Sequence, residues 1–266
     1  KIVHIMKNIE RFCRKFDREK LFNNYLLLGP PGTGKTTLVE GIAEQAGIFF
    51  RAKKGSELSS TYFSGSAINI ENLYKAFYQE MKDKKFTGGI LFLDEFDYLA
   101  RQRGSGGDNS QSDMMVATLN SCMLQYLFSP IITIGATNKP QIIDSAVRSR
   151  MVELYMGYPD TPEGEAAIHA SVMRKIDDIS LEGNVFGEID IGALLQFSKK
   201  DERFKSGREI DKIYHRTAIE LEIASPGELV TTEHLVAEFA KHQFNWEKAK
   251  ASDITGNATR TRTRTR

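Results

Sequence analysis

Cysteine is scarce. Cys13 and Cys122 are the only two, which excludes a disulfide framework and a Cys-rich zinc site and predicts a cytoplasmic or other reducing intracellular compartment. Long apolar runs are missing as well: no stretch approaches the ~20 residues that span a bilayer, and the N-terminus lacks the layout of a signal peptide. An excess of one charge sign is also missing. Lys and Arg number 36 against 35 Asp and Glu, a net charge of +1, so the balance advertises neither a nucleic-acid nor a membrane partner. No His-Glu-x-x-His occurs, so a zinc-protease helix of that type is not encoded here. What is present is ordinary globular material, 41% hydrophobic and 27% charged over 266 residues, enough for one large domain or a large domain with a small one.

From Ile2 to Phe22, apolar residues recur at three- and four-residue spacings among Lys, Arg and Glu, which predicts an amphipathic linker helix over residues 1–24. From Tyr25 to about 157, short apolar runs alternate with helical patterns. The runs are "YLLLG", "IFFRA" at Ile48–Ala52, "GILFLDE" at Gly89–Glu95, "IITIGATN" at Ile131–Asn138 and "MVELYM" at Met151–Met156. Helices are predicted between them at Thr36–Ala46, Asn69–Lys82 and Ser112–Phe128. Strands that are apolar on both faces and joined through helices predict an α/β fold, a parallel sheet flanked by helices. After Gly157-Tyr-Pro-Asp160 only helical patterns follow, near Thr161–Arg174, Ile189–Lys199, Gly207–Ala224 and Thr231–Ala249, which predicts a small helical lid domain over residues 158–250. Arg101–Asp113, rich in Gly, Ser and Asn, reads as a loop. The Thr-Arg repeat within residues 251–266 reads as a disordered end rather than a nucleic-acid arm.

The chemistry concentrates behind the first strand. Gly29-x4-Gly34-Lys35-Thr36, within "GPPGTGKTT", has the spacing of a phosphate-binding loop, with a strand before it and a helix after it. Glycines let backbone N–H groups converge on phosphates, so Pro31, Gly32, Thr33, Gly34, Lys35, Thr36 and Thr37 are candidate nucleotide contacts. Lys35 is expected to meet the β- and γ-phosphates of ATP and Thr36 to complete a Mg²⁺ shell. The strand "GILFLDE" ends in two acids that cannot both face the core. Asp94 is the candidate Mg²⁺ partner and Glu95 the residue that polarises the attacking water. Asn138, at the end of "IITIGATN", can orient water and sense the γ-phosphate, or simply turn the chain with Lys139-Pro140; both can hold.

"GPPGTGKTT", "ILFLDEFD" and "IGATNKPQIIDSAVRSR", in this order and at these separations, closely resemble the AAA ATPases, ring-forming P-loop enzymes that remodel or unfold other macromolecules. The resemblance runs from about Tyr25 to about Lys250 and leaves the subfamily open. It implies an arginine finger, Arg148 or Arg150, that reaches the ATP of a neighbouring subunit; the relatives' Arg-Phe-Asp-Arg reads Arg150-Met-Val-Glu153 here. It implies a sensor arginine in the lid, Arg208 of Ser206-Gly207-Arg208, contacting phosphates in cis. It implies a pore loop in which Tyr62 and Phe63 grip a threaded polypeptide, although Thr61 departs from the usual basic residue and the two aromatics could instead pack as core. A homo-oligomeric ring, a hexamer, acting on a protein substrate with an adaptor or upstream domain is the implied assembly. Two other readings use the same scaffold: a nucleic-acid enzyme of helicase-loader or clamp-loader type, and a nucleotide-gated scaffold. Near-zero net charge and the aromatic pair stand against the first, and the water-activating Glu95 against the second.

Overall fold

A computed structural model describes residues 23–58, 65–101, 109–127, 129–180 and 183–243. The expected linker helix at Ile2–Phe22, the pair Tyr62 and Phe63, most of the loop at Arg101–Asp113 and the basic tail lie outside the described residues. The chain divides into two compact units after Gly157.

The first unit is built on five strands: β1 (Asn24–Leu28), β2 (Phe49–Lys54), β3 (Gly89–Asp94), β4 (Ile131–Thr137) and β5 (Val152–Tyr155). Their order is β2-β3-β4-β1-β5 and every pairing is parallel. The apolar runs explain this. In β3, Leu91 and Leu93 enter one core with α3 (Gly65–Asp83) and α4 (Asn109–Gln125), while Ile90 and Phe92 enter a second core with α1 (Lys35–Ala46). A strand wet on one face would alternate; the central strands β3 and β4 do not, because both their faces are covered, whereas the edge strand β5 alternates. Each such side chain, fully buried, contributes about 1.5–3 kcal/mol. The parallel sheet with flanking helices followed by a helical unit is the fold that the sequence pattern predicts.

Two elements escape the pattern, α2 (Gly55–Leu58) and α5 (Ser145–Arg148). At four residues each, they are about one turn long and leave no periodicity to read. Strand β2 also runs two residues past the predicted Ala52, with Lys54 opposite Asp94 of β3.

For the site, one feature of the sheet matters most. Parallel strands all end at the same edge, and β4 lies between β3 and β1. Leu28 of β1 is level with Thr137 of β4, and Leu93 of β3 is level with Gly135. The segments following β1, β4 and β3 therefore leave the sheet side by side.

The second unit contains α6 (Pro162–Ile179), α7 (Ile191–Ser198), α8 (Gly207–Ala224) and a helix over residues 232–243, α9. Thr161 caps α6 by accepting from Gly164 N at 3.1 Å, ahead of Pro162. Asp190 caps α7 from Ala193 N at 3.3 Å. The core is aromatic: Phe197, Phe204 and Phe239 lie with ring centroids 5.3–5.8 Å apart. It also encloses polar groups. His169 Nδ1 is hydrogen-bonded to the Tyr214 hydroxyl at 2.8 Å, and Glu165 accepts from Ser198 Oγ at 2.5 Å and pairs with Lys205 at 3.3 Å. Burial pushes the His169 imidazole down to about 4, against a smaller upward pull from Glu165.

Candidate nucleotide site

The phosphate loop begins where β1 ends. Gly29 is buried with φ 151°, and a β-carbon on it would lie 2.0 Å from the Met156 carbonyl oxygen. Only glycine fits there. Gly32 and Gly34 take φ 77° and 79°, and Gly34 is the N-cap of α1 with no side chain capping the helix and no acid in its first turn. An uncapped helix start carries N–H donors and a positive dipole end, the chemistry an anion needs. Lys35 Nζ reaches back to donate to Gly29 O at 2.9 Å and Pro30 O at 2.7 Å, and Thr33 Oγ1 donates to Pro30 O at 3.1 Å. The loop's carbonyls are thus turned to its own lysine. Thr36, half-buried, and Thr37, exposed, follow in the first turn of α1.

At the end of β3, Asp94 is half-buried and Glu95 exposed. The Asp94 Oδ1 accepts from Glu95 N at 2.9 Å. Glu95 is left-handed, φ 51° and ψ 44°, a conformation that costs a non-glycine residue roughly 1 kcal/mol or more. Three contacts hold it. Phe96, fully buried, lays its ring over Gly135, where a β-carbon would come within 2.7 Å of it. Gly55 packs against the Glu95 carbonyl so closely that a β-carbon would approach to 2.5 Å. Ser56 Oγ donates to Glu95 Oε2 at 3.0 Å. Neither Gly55 nor Ser56 is among the residues that the sequence singles out. They meet Glu95 because β2 pairs with β3, and no local signal in "KKGSEL" marks that meeting.

Asn138 is exposed just past β4, between the ends of β1 and β3. Its neighbours are fixed: Thr137 Oγ1 donates to the buried Asp97 Oδ1 at 2.8 Å and accepts from Lys139 N at 3.0 Å, before the short 3-10 turn Pro140–Ile142. Asp97 is a further residue to which the sequence assigns no part. Asn138 is thus an exposed amide at a strand end that also leads into a turn.

The arginine segment follows. Asp144 caps α5, accepting from Ala146 N at 2.9 Å, and its own N–H donates to Ala100 O at 2.7 Å, tying this segment to the one after Glu95. Arg148 and Arg150 differ. Arg148 grips Glu153 with two bonds, Nε–Oε1 at 2.6 Å and Nη2–Oε2 at 2.9 Å, a fork that holds the Glu153 carboxyl below the usual range. Arg150, half-buried, donates to Ala146 O at 2.5 Å at the end of α5. Arg208 is exposed in the first turn of α8, in the second unit. The structure therefore brings Lys35, Thr36, Asp94, Glu95 and Asn138 to one sheet edge; Tyr62 and Phe63 lie outside the described residues.

Residues 25–158, half of the chain, match the family described as "ATPase family associated with various cellular activities (AAA)". Among individual proteins, the chain is 31% identical over 192 residues to an ATP-dependent zinc metalloprotease FtsH of Aster yellows witches'-broom phytoplasma, covering 68% of this chain and 27% of that protein. It is 32% identical over 194 residues to the chloroplastic ATP-dependent zinc metalloprotease FTSH 2 of Arabidopsis thaliana, covering 68% and 26%. It is 34% identical over 164 residues to the peroxisomal ATPase PEX6 of Dictyostelium discoideum, covering 59% and 13%. The chain spans about a quarter or less of the length of these relatives.

Proposed function

The chain belongs to the AAA family of ATPases, and on that premise we propose that it hydrolyses ATP in a ring of like subunits and uses the energy to remodel protein substrates. The observation that carries the reading is the strand order. With β4 between β1 and β3, the phosphate loop, Asn138 and the Asp94–Glu95 pair leave one edge of the sheet together.

The residues fit ATP with Mg²⁺. An uncapped helix start behind a glycine loop, an ammonium held within that loop, a half-buried hydroxyl on α1 and a half-buried carboxylate on β3 form the donor set of a magnesium–phosphate site. Thr36 and Asp94 would hold Mg²⁺, which when bound supplies charge neutralisation between the phosphates. Residues Pro31 to Thr37 bind the phosphate chain, with Lys35 moving from the loop carbonyls to the β- and γ-oxygens. Glu95 takes a proton from the attacking water, and Asn138 orients that water without adding charge. Ser56, donating to Glu95 Oε2, fixes the direction in which the carboxylate points.

Of the two candidate fingers, Arg150 is the better placed to act in trans. Arg148 is committed to Glu153 by two bonds, whereas Arg150 holds one backbone carbonyl. Arg208, exposed at the start of α8, acts as the sensor in the lid. Tyr62 and Phe63 grip the polypeptide, in keeping with protein-acting relatives such as the metalloprotease FtsH. The protease itself is not carried over. The sequence has no His-Glu-x-x-His, and among the described residues no group of three or more His, Cys, Asp or Glu could hold a metal.

The test is Glu95→Gln in the presence of ATP. Turnover is expected to fall about 10²- to 10⁴-fold, with nucleotide binding and assembly kept and a polypeptide retained in the ring. Normal turnover would remove Glu95 from its role, and stimulation of the wild-type ATPase by DNA but not by protein would overturn the protein-remodelling reading.

A further inference from the structure

Resting on the nucleotide-site reading, we propose that Met156 is a positioning residue that latches the phosphate loop to the boundary between the two units. Three features meet in this one residue. Its N–H donates to Leu28 O at 2.7 Å, carrying the β1–β5 pairing one step past Leu28 and Tyr155. Its carbonyl oxygen occupies the place of a Gly29 side chain, 2.0 Å from where a β-carbon would sit. Its Cε lies 3.9 Å from the β-carbon position of Gly34, at the far end of the loop.

Met156 therefore packs its carbonyl against the first glycine of the phosphate loop and ends its side chain close to the last. One residue later the chain reaches Gly157, the last residue of the first unit. A displacement of the segment that begins after Gly157 reaches Met156 across a single residue, and through it the phosphate loop. The residue type suits the task. A thioether chain with three rotatable bonds can follow a loop that rearranges around phosphate, where a β-branched side chain would resist. It is also only half-buried, so filling a core does not account for it. On this view Gly29 is glycine because of β5, not because of phosphate.

The experiment compares Met156→Ala, Met156→Leu and Met156→Gln with wild type in the full chain, by titration with a fluorescent ADP analogue and by hydrogen exchange at residues 157–162. Met156→Ala is expected to bind the analogue about five- to tenfold more weakly, with kcat at saturating ATP within about twofold of wild type. Met156→Leu restores affinity to within about twofold. Met156→Gln, which keeps the length but not the apolar tip, weakens binding about threefold and stands in if the alanine variant does not fold. Nucleotide-dependent protection at residues 157–162 is present in wild type and lost in Met156→Ala; a merely structural role would leave it unchanged. Wild-type affinity in both Met156→Ala and Met156→Gln, or equal protection in wild type and Met156→Ala, would overturn the latch. If wild type and Lys35→Ala bind the analogue equally poorly, the nucleotide-site reading itself falls, and the latch with it.

Discussion

In the sheet unit the polar side chains assigned to chemistry are half-buried or exposed, Asp94, Glu95 and Asn138 at strand ends, Lys35 at the start of α1 and Arg150 just past α5. In the helical unit, His169, Glu165, Ser198 and Tyr214 lie inside the core, each less than a tenth exposed. The sheet unit fills its two cores mainly with apolar side chains, with Thr137–Asp97 and Tyr74–Thr133 as buried polar pairs not assigned to chemistry, and accepts strain at its rim, where Glu95 is left-handed. The helical unit shows no such strain at these polar groups and satisfies them within itself. A buried polar network costs stability whenever a partner is lost, whereas strain at a rim is a fixed cost of roughly 1 kcal/mol or more that the surrounding packing holds in place. Polarity at the rim is thus a matter of rate and binding, and polarity in the helical core a matter of stability.

The largest expected effect tests the helical side of this contrast. His169 is held neutral, its pKa pushed down to about 4 from an ordinary value near 6.5. Its contribution is complete above the unfolded value. As pH falls from about 6.5 to about 4 the unfolded chain takes up a proton that the folded core refuses, and about 3 kcal/mol is lost. Urea unfolding at a series of pH values, with His169→Leu as reference, measures it. A wild-type slope no steeper than that of the variant would break the contrast.

The next effect belongs to the rim. Ser56→Ala removes the hydroxyl that orients Glu95, and kcat is expected to fall by about tenfold or somewhat more, the low end of the worth of one hydrogen bond to a charged group, with KM for ATP and the melting temperature unchanged. A drop in melting temperature without a change in kcat would make Ser56 a packing residue. The smallest effect sharpens the choice of finger. Arg148→Ala removes an exposed ion pair, and its cost in stability is expected to stay below about 1 kcal/mol. ATPase activity stays near wild type if Arg150 is the finger and collapses if Arg148 is.

The phosphate loop and the apolar strands were legible in the sequence because both are local. Gly29-x4-Gly34-Lys35-Thr36 carries its meaning in eight consecutive residues, and "GILFLD" declares a doubly covered strand by its unbroken apolarity. Ser56, Asp97 and Met156 were not legible because each acts across the sheet. Ser56 meets Glu95 39 positions along the chain, Asp97 meets Thr137 over 40, and Met156, just past β5, meets Gly29 beside the neighbouring β1. A serine in Gly-Ser-Glu looks the same in any loop, so only the strand pairing singles it out. The two arginines show an intermediate case. Their type and place were readable, but what distinguishes them is the carboxylate of Glu153, which takes both bonds of Arg148, while Arg150 donates to the Ala146 carbonyl.

Gly135, deep in β4, binds nothing and performs no chemistry, yet the ring of Phe96 rests where its side chain would be, and Phe96 follows Glu95 directly. Adding one methyl group there would lift the ring and turn the glutamate's backbone with it. A substitution at this position is expected to silence the enzyme while leaving every reacting group intact. A screen confined to residues lining the reaction centre would score it as harmless.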